Sequence, residues 1–574
     1  MTVTTAEPTL APAPRPLFRS GVMRFVLSHP RAALLVLCLA LFLPGLTTLP
    51  PLDRDESRFA QASKQMVEEN TYIAIHFQDD YRNKKPVGIH WLQAGSVHLF
   101  GSDKHNEIWT YRLPSVLGAI LAVWFMFWVG RLMFDPETGL IAAGFLAATV
   151  SLIAEANISK TDAVLLATVI AAQGFMIKAY LAARRPELEF GFWSAMGFWL
   201  ALSVGLLIKG PIQPLVVLLT MGGMLAFGGD RRWLASLRPL RGLALLLVLT
   251  LPWGIAVYFA TEGTFYREAV GIDLWKKLYR AMEGHWGIPG YYASLINVTF
   301  WPGTLFLIPA FVYAIRQRRQ TEMTILLSWA ILPFLLFEIV VTKLPHYSMP
   351  TYPAYALMAA ALITGAAREP SGLAAKIASG LAGRIAIGLF VLVGGALSLC
   401  VVVLPFFYGP GLVAHLVPFA ALAILAVLGT AYIAWRADFL KAAGAALATA
   451  VILYIALLEV AAPHLHKIDV SRTMAGLVAK HTDGTAPVAS SGYREPSFVF
   501  LMGTETRLAN PDGAADLLAS DPRAVAFIEK RNEPAFLTRA EELNLTLQAL
   551  DRVEGINYSR GGNEVSITLY RAAK

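Results

Sequence analysis

The sequence predicts an α-helical polytopic membrane protein of about thirteen spans with a small C-terminal soluble α/β domain. Three observations predict it. The 574 residues are 56% hydrophobic and 15% charged, with a mean hydropathy of +0.53, whereas soluble domains carry about a quarter charged residues. Runs of about 17–25 mostly apolar residues, each long enough for a hydrocarbon core of roughly 30 Å, recur between residues 31 and 462. Beyond residue 466 the apolar runs shorten to strand length and alternate with helical patterns.

Residues 1–30 begin with a Pro-, Ala- and Thr-rich stretch and read as a disordered cytoplasmic leader. The predicted spans are 31–49, 110–130, 138–155, 162–183, 192–208, 211–227, 240–260, 291–315, 322–341, 347–367, 384–406, 412–435 and 441–462. No small-residue cleavage pattern follows the first, so it reads as a retained anchor. Arg15, Arg19, Arg24 and Arg31 precede it, and alternate loops collect Arg131, Arg184, Arg185, Arg231, Arg316, Arg368 and Arg436. This bias predicts a cytoplasmic N-terminus and, with an odd number of spans, an outer C-terminal tail.

The net charge of +8 is thus spread over separate loops as an orientation signal. It suits contact with anionic membrane lipids and gives no support to nucleic-acid binding. Cys38 and Cys400, the only cysteines, fall within predicted spans, which excludes a disulfide framework and a thiolate metal cluster. In the tail, 466–574, strands are predicted at 487–490, 525–528, 545–550 and 565–570, and helices at 512–520 and 534–543.

Two long outer loops, 50–109 and 261–290, and several span ends carry polar patches that this topology puts on one side: Asp53 to Arg58, Asn83 to Pro86, Lys160 to Asp162, Lys209 to Pro211, Glu283 to Tyr292 and Lys343 to Tyr347. The first opens an amphipathic helix suited to the membrane interface, with Phe59, Ala62 and Met66 on one stripe. Asp53 and Glu56 have capping-box spacing, which leaves Asp55 unaccounted for. Asp55 and Arg58, three residues apart, share a helical face, so a carboxylate able to take a proton stands beside a guanidinium able to hold a phosphate; a simple ion pair is the plainer alternative.

Lys84 and Lys85 suit either headgroup anchoring or an anionic substrate. Lys343, between two apolar helices, calls for an anionic partner. Asp162 at a span start is either a helix cap or a site residue. Glu283, His285 and His346 are metal-ligating types without metal-site spacing, so no cofactor is assigned, and a divalent cation stays an open alternative.

Asp55-Glu56-Ser57-Arg58-Phe59-Ala60, Lys85-Pro86 with Trp91-Leu92-Gln93, Thr161-Asp162-Ala163, the segment Gly284 to Tyr292 and the segment Lys343 to Leu357 occur together in this order. In them the chain resembles the GT-C glycosyltransferases of the protein-mannosyltransferase and aminoarabinose-transferase type. The resemblance covers roughly residues 52–501. It implies a GT-C catalytic domain at 31–465, a polyprenyl-phosphate-linked sugar donor, transfer on the periplasmic face of a bacterial inner membrane, and a periplasmic domain at 466–574. It also implies that Asp55 is catalytic and that Arg58 and Lys85 contact the donor phosphate.

Glu56, Lys84, Asp162, His285, Lys343, His346 and Tyr347 complete the expected substrate-binding set. Lys84 stands where aminoarabinose transferases often carry a glutamate. The stretch Tyr493 to Gly503 resembles the lipid A-modifying branch and points to a glycolipid acceptor. A protein acceptor, a lipid-pyrophosphate ligase and a lipid flippase are the alternatives.

Overall fold

The computed structural model describes residues 26–274 and 287–573. Helices occur at every one of the thirteen predicted spans, from Pro30–Phe42 to Phe439–Ile455. Among the described residues eight are long and apolar enough to cross a membrane alone, and a ninth candidate is a pair, Pro136–Ala148 and Val150–Ala156, bent by 62°. The bend is built at Thr149, whose hydroxyl accepts the amide of Leu152 while the amide of Val150 donates to the carbonyl of Trp301. Two of the remaining spans are shorter or more interrupted than the hydropathy implies: the first helix ends at Phe42, ahead of Gly45 with φ +88°, and 291–315 is two helices, Tyr291–Thr299 and Thr304–Arg316.

Helix Asp162–Ala182 is the centre of the bundle, with 89% of its apolar window covered, whereas Pro239–Ala260, at 17%, turns Leu240, Val248 and Phe259 outward as a lipid-facing helix must. Close packing at the centre needs small residues: a Cβ on Gly118 of Ile108–Met133 would stand 2.8 Å from the Val164 Cα.

The C-terminal unit is a five-stranded sheet in the order β4-β3-β5-β7-β6, with β3 Val488–Ser491, β4 Arg507–Ala509, β5 Val525–Glu529, β6 Leu547–Asn557 and β7 Asn563–Ala572. β3 pairs in parallel with β4 and β5, and β7 runs antiparallel to β5 and β6. Every residue of β5 is buried because helices cover both faces: Ala514, Leu518 and Phe536 meet Ala526 and Ile528, while Met474, Val478 and Phe498 meet Val525 and Phe527. A two-stranded ribbon, β1 His76–Phe77 with β2 Asp80–Tyr81, lies in the first long loop.

The helix Asp55–Glu68 departs from the expected interfacial one. Positions 59–66 are buried on every side, because the helix lies between Gly88–Phe100 and helix Pro496–Met502 of the C-terminal unit. Lys64 Nζ donates to the Phe500 carbonyl at 3.1 Å and Gln61 Nε2 to the Thr504 hydroxyl at 2.8 Å. Its polar face was therefore a docking face for the tail.

Candidate active site

The turn into helix Asp55–Glu68 is held from three directions. Arg54, at its start, has φ 67° and ψ −104°, a left-handed conformation that costs a non-glycine residue about 1–3 kcal/mol and persists only under external restraint. The restraint comes from the C-terminal unit. The Asp53 amide donates to Tyr558 Oη at 2.6 Å, Asp53 Oδ1 accepts the Ser497 amide at 3.1 Å, and Arg54 donates to the Ser559 carbonyl. The expected capping box is absent: Asp53 reaches the tail, and Glu56 reaches back to the Leu52 amide at 2.8 Å.

Burial, reinforced by Glu495, pushes the Asp53 carboxyl up to about 7 despite the bonds donated by Ser497 and Tyr493. Because the folded-state value lies above the ordinary carboxylate value near 4, its contribution to docking is complete below about pH 4 and is lost as pH rises through 7. We expect the Ser497 amide to exchange hydrogen faster at pH 8 than at pH 5 after correction for intrinsic rate, and Asp53→Asn to flatten that dependence. An unchanged pH dependence in the variant contradicts this account.

Glu56 is a correction. It is 2% exposed, and its carboxylate accepts two hydrogen bonds from the Arg112 guanidinium at 2.8 and 2.9 Å, the Ser159 amide at 2.9 Å and the Leu52 amide. Arg112, fully buried, also donates to the carbonyls of Leu46, Leu49 and Pro50. The pair ties the first loop to two bundle helices and leaves no Glu56 oxygen for substrate.

Asp55, next along, turns into a different environment. Burial alone would raise its carboxyl, but the charges of Lys160, Arg82 and Arg58 together hold it below the ordinary carboxylate range. Lys160 is itself 8% exposed and pairs with Glu155 at 3.3 Å; burial would lower its ammonium, and Glu155, Asp162 and Asp55 raise it instead. His346 joins Glu155 through Nδ1 at 3.2 Å and faces Asp162 through Nε2 at 3.7 Å. Burial and the neighbouring Lys160 keep its imidazole down at about 3, so it is neutral. Asp162 Oδ1 accepts from Lys209 at 2.5 Å, whose ammonium lies 5.1 Å from the Tyr347 ring.

The patches that begin at Asp53, Lys160, Lys209 and Lys343, scattered over 295 residues of sequence (53 to 347), thus meet in one charged cluster through Asp55, Lys160, Asp162, Lys209, His346 and Tyr347. Lys84 is exposed and Lys85 half-buried at the start of helix Gly88–Phe100; the neighbouring Asn83 donates toward Glu268 of the second long loop at 3.2 Å. Glu283 and His285 lie outside the described residues. Lys343 is a second correction. Its ammonium donates to the carbonyls of Phe337, Glu338 and Val340 at 3.1, 2.8 and 3.0 Å and pairs with Glu338 at 3.7 Å. All three protons cap the C-terminal end of helix Thr321–Ile339, where a cation meets the negative end of the helix dipole, and none remains for a donor phosphate.

Four residues of the pocket are absent from the expected set: Arg82, Glu155, Lys160 and Lys209. Glu155 had a readable signal, a carboxylate at the end of an apolar run five residues before a lysine, since an ionisable group at membrane depth needs a named partner. Arg82 had none, because the fold alone brings it to Asp55. Among the described residues no three His, Cys, Asp or Glu side chains are grouped to hold a metal ion.

Residues 84–255 match a family model described as dolichyl-phosphate-mannose-protein mannosyltransferase. The chain is 31% identical over 335 residues to an undecaprenyl phosphate-alpha-4-amino-4-deoxy-L-arabinose arabinosyl transferase of Pseudomonas aeruginosa, covering 56% of this chain and 58% of that protein. It is 26% identical over 365 residues to one from Pectobacterium atrosepticum, covering 62% and 63%. The match therefore spans about three fifths of these curated relatives' length.

Among solved structures, ArnT from Cupriavidus metallidurans bound to undecaprenyl phosphate superposes with a TM-score of 0.70 at 18% identity, covering 96% of this chain and 98% of that one. An apo oligosaccharyltransferase of Archaeoglobus fulgidus gives 0.54 at 13% identity, covering 92% and 70%.

Proposed function

We infer that this chain, a multi-pass membrane protein with the GT-C glycosyltransferase fold and a relative of the aminoarabinose transferases, is an inverting glycosyltransferase that moves a sugar from polyprenyl phosphate to a glycolipid. The observation that carries this reading is Asp55, an ionised carboxylate ringed by Lys160, Arg82 and Arg58. The donor carrier is undecaprenyl phosphate by analogy with the relatives' names, and the acceptor is a lipid A-like glycolipid of the inner membrane. On this reading the charged cluster and the C-terminal unit face the periplasm, an orientation that the arginine bias of the opposite loops supports.

In this mechanism Asp55 takes the proton of the acceptor hydroxyl as its oxygen attacks the anomeric carbon. The bond from that carbon to the phosphate oxygen breaks, and polyprenyl phosphate leaves with the electron pair, inverting the configuration. Arg58 and Lys85 hold the phosphate oxygens, and the charge they meet grows as the bond breaks, so they act most strongly on the transition state. Lys84 and Tyr347 bind the sugar or phosphate, and His285 is assigned to the same substrate-binding set. Asp162 and His346, fixed by Lys209 and Glu155, orient substrate hydroxyls. Membrane burial of both lipid tails brings the two reactive heads to one depth.

The test is the acid limb of kcat/KM for transfer. Asp55 must be ionised to accept a proton, so activity falls as pH drops through its value, which the cations hold below the usual range near 4. Lys160→Met removes one of those cations, and the limb is expected to move to higher pH. A limb that stays in place, with transfer intact, contradicts Asp55 as the base.

A further inference from the structure

Asp55, Phe59 and Ser63 recur every fourth residue, so their side chains follow one another along one face of helix Asp55–Glu68. That face meets His90 and Gln93 of helix Gly88–Phe100. The Phe59 ring stacks on the His90 imidazole with centroids 5.4 Å apart and planes 23° from parallel. The Arg82 guanidinium lies over the same ring, 4.9 Å from its centroid. Contacts therefore run in series from Arg82 to Phe59 to His90, beginning beside Asp55. Phe59 and His90 are buried and Arg82 is half-buried.

The inner end of the series is set by one backbone carbonyl. The Ser159 carbonyl, which can only accept, takes a proton from Gln93 Nε2 at 3.1 Å. This turns Gln93 Oε1 toward Ser63, whose single hydroxyl proton it accepts at 2.6 Å. Ser63 Oγ is then the acceptor for His90 Nδ1 at 2.8 Å, so the imidazole carries its proton on Nδ1. Burial and the charge of Arg82 push His90 down to about 3, which keeps it neutral beside the guanidinium. Ser159 immediately precedes Lys160, so one buried chain of bonds frames two of the cations that act on Asp55, Lys160 and Arg82.

The Arg82 backbone is fixed where the two-stranded ribbon ends, its amide donating to the Ile75 carbonyl at 2.7 Å, but a long side chain still has to be aimed. A carboxylate could aim it only by neutralising it. The negative face of an aromatic ring attracts a cation and leaves its charge in place. We propose that Phe59 and His90 are positioning residues for the transfer reaction: the ring holds the Arg82 guanidinium toward Asp55 with its charge intact, and His90 holds the ring. The proposal rests on the reading of Asp55 as the base. Asp55 also faces Lys160, Arg58 and His346, and Lys160 carries Glu155 and Asp162 with it, so the contribution of Arg82 is a graded one.

The test uses the full-length protein in proteoliposomes with Phe59→fluorophenylalanine, carrying one, two or three ring fluorines. Fluorine draws negative charge from the ring face and keeps the ring's shape, so packing is preserved while the hold on a cation weakens. The acid limb of kcat/KM is expected to move to higher pH with each fluorine. For the trifluorinated ring the apparent acid constant is expected to fall by about two- to fivefold, the range of a partly exposed cation over a ring. In an Arg82→Gln background, whose limb is already displaced, fluorination is expected to add nothing. His90→Leu is expected to move the limb in the same direction, and His90→Phe, which keeps a stacked ring, to recover part of the shift.

The Asp55 carboxyl is followed in parallel by the infrared band that Asp55→Asn removes. If the limb and the band stay in place through the fluorine series while Lys160→Met moves both, the proposal is overturned. Fluorine shifts that persist in Arg82→Gln overturn the route through Arg82, and a wild-type limb in His90→Leu removes His90 from it. If Lys160→Met also leaves the limb in place with transfer intact, Asp55 is not the base, and the infrared band still decides whether the ring acts on its carboxyl.

Discussion

Asp55→Asn is expected to lower the rate of sugar transfer by about 10²–10⁴-fold, the range a positioned general base contributes, while donor binding is kept or tightened. The amide fits the same space but cannot take the proton. It also removes one negative charge from among Lys160, Arg82 and Arg58, so the donor phosphate meets a more positive pocket. This pairing of outcomes separates chemistry from damage: a variant that unfolded the turn would lose donor affinity along with rate. Single-turnover transfer together with equilibrium binding of undecaprenyl phosphate reads both, and undiminished transfer contradicts the role.

The largest effect on stability is expected at Arg112. Truncating it to methionine leaves the Glu56 carboxylate buried without its cation and frees the carbonyls of Leu46, Leu49 and Pro50, which costs about 3–5 kcal/mol. Thermal unfolding in detergent measures it. Glu56→Leu/Arg112→Met removes both charges and is expected to be less destabilised than Arg112→Met alone. If the double variant is the less stable of the two, Glu56 has a role the buried pair does not describe.

The spans were legible because a hydrocarbon solvent imposes a local requirement: each crossing segment must be apolar over its own length. The strands Val525–Glu529 and Asn563–Ala572 were legible for a related reason, since short apolar runs bounded by polar turns read locally. What stayed hidden depends on partners far away in sequence. Asp53 looked like a cap and the helix after it like an interfacial one, yet Asp53, Gln61 and Lys64 bind Ser497, Thr504 and Phe500 more than 430 residues later.

Lys343 illustrates the opposite error. Its isolation among apolar residues correctly demanded partners, but the partners are the last carbonyls of the preceding helix, and sequence does not say in which direction a flexible ammonium folds. Glu56 shares a motif with Asp55, and only the position of Arg112, on another helix, separates the carboxylate it pairs with from the one proposed as the base. The convergence of Asp55, Arg58, Lys160, Asp162 and His346 was foreseeable from shared sidedness, whereas Arg82 enters through the packing of the first loop.

The central claim is tested most directly with the purified protein in proteoliposomes supplied with a radiolabelled undecaprenyl-phosphate sugar and a phosphorylated glycolipid. The account predicts labelled glycolipid with inverted anomeric configuration and one equivalent of undecaprenyl phosphate released per sugar transferred. Label that crosses the bilayer while still attached to its undecaprenyl carrier, with no labelled product, would contradict it.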